Sequence, residues 1–344
     1  MFTRKRILVL LLIVTTFLMT GSLIYYFVHQ LNDTRHSLLL YTSYPSKERT
    51  TNWVFDTNTG KKWEVGNNME AGRWSASGKY ISFYTYTYKV SITTIWVSDS
   101  NGQNLRQVFD GVKYPDLKIK GYAWLSDQKI IVNVVKDFQS FAYLLDINSP
   151  IFEKIPNSTG FIHVSPNGQF WVEFNMQNKY SLFNLDEKRT PLSQIELWDH
   201  FFSPNGTQIA YGCAGKYKFS SLCIADISMV GIANERKVAE DAFLNASGDT
   251  WWSPDGKYIG FMYSPGKSQE EKFRTIDVSN GATVYDWIFP TKTTLNFWSP
   301  YGDKIIDEMG LMLDLKTGKT SNFFAETKEI MPSHIVDWRL IEVP

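Results

Sequence analysis

The fold is decided by a ten-residue segment, Trp252-Ser253-Pro254-Asp255-Gly256-Lys257-Tyr258-Ile259-Gly260-Phe261. Its Pro stands at the second position of a turn, where a fixed φ is favourable. Its Gly stands at the last position, where a positive φ is tolerated. After the turn, apolar side chains alternate with others, which is the period-two pattern of a β-strand. The segment therefore predicts a tight hairpin whose first strand ends at an aromatic residue.

Variants of this segment recur along most of the chain, at spacings of 38 to 50 residues. Its first position, which is Trp, Phe or Val, falls at Trp74, Trp124, Val164, Phe202, Trp252, Trp298 and Trp338. The copy at Trp124 has lost the Pro and the Gly. Each block offers further strand-like runs, such as residues 93–97 and 104–108, and almost no helix. A block therefore predicts four short antiparallel strands, and the recurring Trp is expected to pack in the core between blocks.

These segments resemble the repeats of TolB-type, WD-like β-propellers, whose hallmark is Trp-Ser-Pro-Asp-Gly-Lys followed by Ile-x-Phe. The resemblance covers roughly residues 37–343 and implies an all-β fold of four-stranded antiparallel blades. The block lengths predict seven blades, with six as the alternative if the degenerate block at Trp124 is irregular. The resemblance is specific for the fold and says little about activity, because such propellers serve as binding modules, as scaffolds and as appendages of hydrolases.

Both ends of the chain are expected to contribute to one blade. The strand-like runs at 37–42, 52–56 and 61–65 lack a preceding first strand, whereas 335–340 reads as a first strand without followers. Combining them completes a blade and removes exposed sheet edges.

The N-terminal segment predicts a membrane anchor. Residues 7–28 contain no charge, and 22 residues are long enough to cross a hydrocarbon layer of about 30 Å. Arg4, Lys5 and Arg6 precede them, and positive charges favour the cytoplasmic side. We expect a cytoplasmic tail at 1–6, a transmembrane signal anchor at 7–28, a linker at 29–36 and the propeller at 37–344. The propeller would then lie on the extracytoplasmic side of the cytoplasmic membrane. The alternative is a cleaved signal peptide, whose apolar core is normally shorter.

Composition excludes several classes of function. The chain has 35 basic and 35 acidic residues, so it lacks the concentrated positive charge with which nucleic-acid-binding proteins displace counterions. Two cysteines cannot form a four-thiolate zinc site, and neither a His-Glu-x-x-His nor a Gly-x-Ser-x-Gly motif is present. The sequence predicts no metal site, no cofactor and no catalytic residue. The Asp or Asn in the turns could be imagined as a calcium ligand, but its expected role is to cap the turn backbone.

A ligand site is expected at one mouth of the central channel. The first strand of each blade lines the channel of a propeller, and the loops that lead into these strands form the mouth. The polar residues predicted there as ligand-binding are Arg73, His163, Asp199, His200, Asp249, His334 and Asp337, with Lys120 and Asn296 beside them. A mixture of Asp, His and Arg in a concave site is suggestive of binding. The alternative is that these residues merely line a water-filled channel.

The leading functional hypothesis is a non-enzymatic module of the cell envelope that binds a protein or peptide at the mouth, or serves as a scaffold. The alternative is a propeller enzyme, a hydrolase or lyase acting on a saccharide or peptide. A metal held by Asp199, His200 and His163 would favour the enzyme.

A disulfide between Cys213 and Cys223 is predicted. Residues 207–214 and 219–225 read as two strands of a hairpin centred near Lys218, which would place the two cysteines directly opposite each other. Directly opposed antiparallel residues are within the span of a disulfide. The alternative is two free cysteines acting as small buried apolar residues.

Overall fold

The computed structural model describes residues 35–342 with gaps. The gaps are residues 47–48, 88–90, 150, 157, 159, 176–179, 185–190, 196–199, 217–218, 244–251, 264–271, 289–295 and 328–332. The chain divides into two compact units, Met1–His36 with Glu342–Pro344 and Ser37–Ile341. The second unit carries the fold.

The described residues are almost entirely β-structure. The strands of the N-terminal half are β1 (Arg35–Ser46), β2 (Arg49–Asp56), β3 (Lys62–Asn67), β4 (Glu70–Trp74), β5 (Tyr80–Thr87), β6 (Ser91–Asp99), β7 (Arg106–Asp110), β8 (Lys118–Trp124), β9 (Lys129–Lys136), β10 (Gln139–Asp146), β11 (Phe152–Lys154), β12 (Gly160–Val164) and β13 (Phe170–Asn175). The C-terminal half contains β14 (Tyr180–Asn184), β15 (Pro191–Ile195), β16 (His200–Phe202), β17 (Gln208–Lys216), β18 (Phe219–Ser228), β19 (Gly231–Phe243), β20 (Tyr258–Tyr263), β21 (Lys272–Asp277), β22 (Thr283–Ile288), β23 (Asn296–Trp298), β24 (Lys304–Asp307), β25 (Leu311–Asp314), β26 (Thr320–Asn322) and β27 (Ser333–Glu342). A 3₁₀ turn at Gly111–Lys113 and a short helix α1 (Phe323–Glu326) are the helical elements of this part of the chain.

The strands form five sheets. Their orders are β27-β1-β2-β3, β4 through β11 as one eight-stranded sheet, β12 through β15, β16 through β22, and β23 through β26. The all-β propeller is therefore right, but the prediction of seven separate four-stranded blades, like the alternative of six, is wrong. The reason is hydrogen bonding between sequence blocks: β6 pairs with β8 at Ile92 and Ile119, and β19 pairs with β20 at Ala242 and Tyr263.

The turn of the repeated segment is held from inside by its serine. Gly256 has a φ of +72°, and its N–H donates to the Ser253 carbonyl at 2.8 Å. The Ser253 hydroxyl donates to Asp255 Oδ1 at 2.7 Å and accepts from the N–H of Tyr258 at 2.9 Å. Asp255 Oδ1 also accepts the Lys257 N–H at 3.1 Å, so its side chain caps the turn backbone as the sequence predicts.

Neighbouring turns also bond to each other. Ser77 stands where four of the other copies have Asp or Asn, and its hydroxyl donates to Asp127 of the next block at 2.5 Å. The Asn167 amide donates to the carbonyl oxygens of Asn205 and Gly206 at 3.1 and 3.2 Å. The degenerate block around Trp124 therefore supplies the carboxylate that the preceding turn lacks.

The recurring tryptophans occupy the core, as predicted. Trp74, Trp252, Trp298 and Trp338 are between 1% and 9% exposed. Trp124 is only half-buried, and its indole N–H donates to the Arg73 carbonyl at 3.1 Å. At the C-terminal end, the indole of Trp338 donates to Ser37 Oγ at 2.8 Å, which binds β27 to the start of β1.

The predicted membrane anchor at 7–28 falls outside the described residues. Among the helices of residues 35–342, none is long and apolar enough to cross a membrane. The prediction of a single-pass membrane protein with an extracytoplasmic propeller is therefore corrected: the structure does not support it.

The predicted disulfide is present. Cys213 and Cys223 are joined, with their Cα atoms 5.7 Å apart. The expected register is wrong by a bulge, because Tyr211 faces Cys223 and the pairing shifts between Gly212 and Ala214. Cys213 lies at the bulge and has no directly opposed residue, so the bond joins residues that are not a cross-strand pair.

Trp338 provides a test of how strongly the two ends are joined. We expect Trp338→Ala to lower the free energy of unfolding by about 3–5 kcal/mol, because it removes a buried indole and the bond to Ser37. The free energy of unfolding of Trp338→Phe should lie between those of Trp338→Ala and wild type, since Phe keeps part of the packing. Equilibrium denaturation measures both, with Tyr301→Ala, at a 56% exposed position, as the control within about 0.5 kcal/mol of wild type. An alanine variant as stable as wild type would contradict this role.

The disulfide has its own test. The unfolded, unreduced chain should show no reactive thiols, because both cysteines are bridged. Replacing both by Ser should lower the free energy of unfolding by roughly 2–3 kcal/mol, as expected for a short closed loop. Two titratable thiols per chain would refute the bridge.

Candidate functional site

Four of the predicted site residues lie on strands at the edges of four different sheets. Asp337 is on β27, Arg73 on β4, His163 on β12 and His200 on β16. Electrostatic effects on their pKa values nevertheless connect them in pairs: Asp337 acts on Arg73, Arg73 acts on His163, and His163 acts on His200. Each of these side chains therefore lies near enough to the next for its charge to shift the neighbour's pKa.

His163 and His200 form a ring pair. Their ring centroids are 4.9 Å apart, and His200 is 6% exposed. Burial lowers the pKa of both imidazoles; the positive charge of Arg73 lowers that of His163 further, and His163 does the same to His200. Both rings are therefore neutral near pH 7.

Asp337 is held by backbone and by Arg339. Its carboxylate accepts the N–H of Trp338 at 2.9 Å and that of Trp74 at 3.4 Å, and Arg339 Nε lies 3.1 Å from it. These bonds connect β27 to β4, so Asp337 is a joint between the last and first blocks. The side chain of Arg73, in contrast, is exposed to solvent; desolvation by the surrounding protein lowers the pKa of its guanidinium, and Asp337 opposes that shift.

A cluster that the sequence analysis missed lies at the start of β4. Glu70 accepts a hydrogen bond from the Tyr44 hydroxyl at 2.9 Å. Burial, and then the negative charge of Glu70, raise the pKa of Tyr44, Tyr84 and Tyr86. The predicted site residue His334 is exposed and packs on Tyr44, with ring centroids 5.4 Å apart. We call Glu70 with these three tyrosines the tyrosine cluster.

The tyrosine cluster continues into Tyr122 and lies near Arg73. The rings of Tyr84 and Tyr122 meet edge to face with centroids 6.0 Å apart, and the charge of Arg73 acts on both phenols. Two features of the sequence could have revealed it. Tyr84 and Tyr86 are two apart on one strand and so share a face. Glu70 precedes Trp74 by four residues, as His334 precedes Trp338.

The other predicted residues are Asp199, Asp249, Asn296 and Lys120. Asp199 and Asp249 lie outside the described residues, as does the side chain of Asn296, while Lys120 is exposed on β8. Within the part of the chain that is described, no group of three His, Cys, Asp or Glu side chains is placed to hold a metal ion.

Several solved structures resemble this chain. A proposed 6-phosphogluconolactonase from Bacteroides fragilis is 12% identical, with 90% of this chain and 98% of that chain covered and a TM-score of 0.55. An oligogalacturonate lyase in complex with manganese is 13% identical, with 84% and 85% covered and a TM-score of 0.53. TolB from Acinetobacter baumannii is 13% identical, with 89% and 81% covered and a TM-score of 0.49.

No known protein family and no curated protein matches the chain in sequence. The similar structures bear different functions, and at this level of identity the likeness establishes the β-propeller fold alone.

The histidine pair makes stability depend on pH. Because both folded-state pKa values are lowered, the unfolded chain binds protons more readily once the pH falls below about 6.5. We expect the free energy of unfolding to fall between pH 7 and pH 5, and the slope to be shallower in the double variant His163→Gln, His200→Gln. Denaturation at each pH measures this. At pH 7.5 the imidazoles are neutral in both the folded and the unfolded chain, so the difference in free energy of unfolding between wild type and variant there measures lost packing alone. A pH dependence that is the same in the variant would contradict the lowered pKa values of the two histidines.

Proposed function

We propose that this chain is a non-enzymatic binding module that takes a basic side chain of a protein or peptide at the tyrosine cluster. One observation carries the proposal. Among the described residues, Glu70 has phenolic neighbours and no cation within ion-pair distance. A half-buried carboxylate gains stabilisation from a charge-assisted hydrogen bond to a cation, and a Lys or Arg of a partner would supply one to Glu70.

The chemistry of the tyrosine cluster suits an ammonium or guanidinium group. Aromatic faces attract cations through the ring quadrupole, most strongly where water is partly excluded. Tyr44 donates to Glu70 and so fixes the carboxylate, while Tyr86, at 36% exposed, forms the outer side. A basic side chain could therefore contact the carboxylate with its charge and the rings with its methylene stem.

Phe138 supplies a second contact at the same end of the eight-stranded sheet. Strand registers connect the two places: Tyr86 faces Ile92, Ile92 faces Ile119, and Ile119 faces Val134, near the end of β9. The turn that follows β9 carries Phe138, which is 93% exposed. A large aromatic side chain exposed to this degree is a typical anchor for a protein partner.

The backbone of this turn supports the same interpretation. Asp137 and Phe138 have φ values of +49° and +63°, in the left-handed region that disfavours residues with a Cβ. Asp is common at the first position of such a two-residue hairpin and Gly at the second, so Phe138 is the unusual residue of this turn. A strained residue that contributes nothing to the core is expected where function requires it.

A displayed peptide library, selected on the full chain, tests the proposal. We expect enriched peptides to contain a Lys or Arg next to apolar residues. Their affinity should fall about tenfold for Glu70→Gln, which corresponds to one charge-assisted contact of roughly 1.4 kcal/mol. Phe138→Gly should weaken binding and also stabilise the fold by about 1 kcal/mol, because it relieves the strained turn.

Val230→Gly is the matched control, since Val230 is 96% exposed at the turn between β18 and β19. This variant should bind as wild type does. Failure to select any basic peptide, or undiminished binding by both Glu70→Gln and Phe138→Gly, would reject a binding site at the mouth.

A further inference from the structure

A second concave site lies between the first and the last sheets. It is a cleft of about 460 Å³, bounded by β1 and β2 on one side and by the turn before β24, β25 and helix α1 on the other. Trp338 lines it, four residues and thus about 13 Å along β27 from His334, the residue that packs on Tyr44. Clefts that hold small molecules in proteins have volumes of this order.

The inner wall of the cleft is apolar and rigid. Leu39 is fully buried, and Phe323 and Trp338 are 6% and 9% exposed. Phe55 meets Phe323 edge to face with centroids 5.1 Å apart. The Trp338 indole N–H is satisfied by Ser37, so the indole has no remaining donor to offer a ligand and contributes only apolar surface.

The rim of the cleft carries polar groups of every kind. Asp303 accepts a hydrogen bond from the Ser299 hydroxyl at 2.6 Å, which fixes its carboxylate. Tyr301 is 56% exposed, and its hydroxyl accepts a weak bond from the Asn58 amide at 3.4 Å. The ammonium of Lys304 and the carboxylate of Glu326, by contrast, make no hydrogen bond or ion pair with another described side chain.

The charges of this rim determine the class of ligand. Glu326 and Lys304, the rim charges without a hydrogen-bond or ion-pair partner among the described side chains, have opposite signs, so together they select neither a phosphate nor a cation. What remains is a neutral molecule with many hydrogen-bonding groups and an apolar face, one that uses donors and acceptors at the rim and aromatic surface inside.

We propose that this cleft binds a neutral sugar of one or two units. The C–H face of the ring packs against Phe55, Phe323 and Trp338, and the hydroxyl groups bond to Glu326, Lys304 and Asp303. Tyr301 covers the outer side of the ring. This site is independent of the tyrosine cluster, so either can fail without affecting the other.

Saturation-transfer NMR on the full chain with a panel of neutral hexoses, maltose and cellobiose tests this proposal. At least one sugar should receive saturation, with a Kd in the millimolar range. Tyr301→Ala and Glu326→Gln should each weaken its binding about tenfold. Both positions are exposed, so the variants are expected to fold, and thermal denaturation checks this.

Phe138→Gly, at the other site, is the matched control and should leave sugar binding unchanged. Three results would overturn the proposal: no transfer to any sugar of the panel, undiminished binding in both cleft variants, or binding of inorganic phosphate in place of the sugars.

Discussion

The pairing of the last strand with the first is the constraint on which the rest of the structure depends. β27 lies beside β1 in the first sheet, and three polar links fix it there: Trp338 to Ser37, Trp74 to Asp337, and Arg339 to the Ser75 carbonyl. Because Asp337 also acts on Arg73, the same joint positions the charge at the start of the channel. The cleft of the last sheet is likewise bounded by Trp338.

The polar groups around Asp337 and those of the tyrosine cluster are bonded differently. The carboxylate of Asp337 is paired with Arg339 and bonded to backbone N–H groups, and burial keeps His163 and His200 neutral. At the tyrosine cluster, Glu70 is bonded only to neutral phenols among the described residues. A charged ligand gains the most binding free energy where a protein charge lacks a counter-charge. A basic group is therefore expected to bind more strongly beside Glu70 than beside Asp337 and the two histidines.

The sequence predicts the turns, the tryptophan core and the disulfide because each follows from local chemistry. The serine hydroxyl, the Gly φ and the capping carboxylate all lie within six residues of one another. The number of separate sheets does not follow, since bridges such as Ile92 to Ile119 depend on how neighbouring blocks meet. The bulge next to Cys213 is equally invisible in the sequence.

The sequence predicts where some polar residues stand on the strands, but not which of them meet. Residues one or two positions before the repeated aromatic, such as Arg73 and His200, lie on edge strands because the repeat fixes their position. The tyrosine cluster escaped prediction because Tyr44, Glu70 and Tyr84 come from three strands, and their meeting depends on packing between sheets. His163 and His200 lie beside each other, and Asp337 bonds to the backbone of Trp74, whereas ligand binding by these residues stays a prediction.

The link between Trp338 and Ser37 spans 301 residues of sequence, and this has a consequence for synthesis. At translation rates of 5–20 residues per second, roughly 15–60 s separate the appearance of the two partners. Throughout that interval the strands near Ser37 have an unpaired inner edge, where another nascent chain could pair. The Lys and Arg residues near that edge, and any chaperone that covers it, therefore act on a transient state that the finished ring no longer shows.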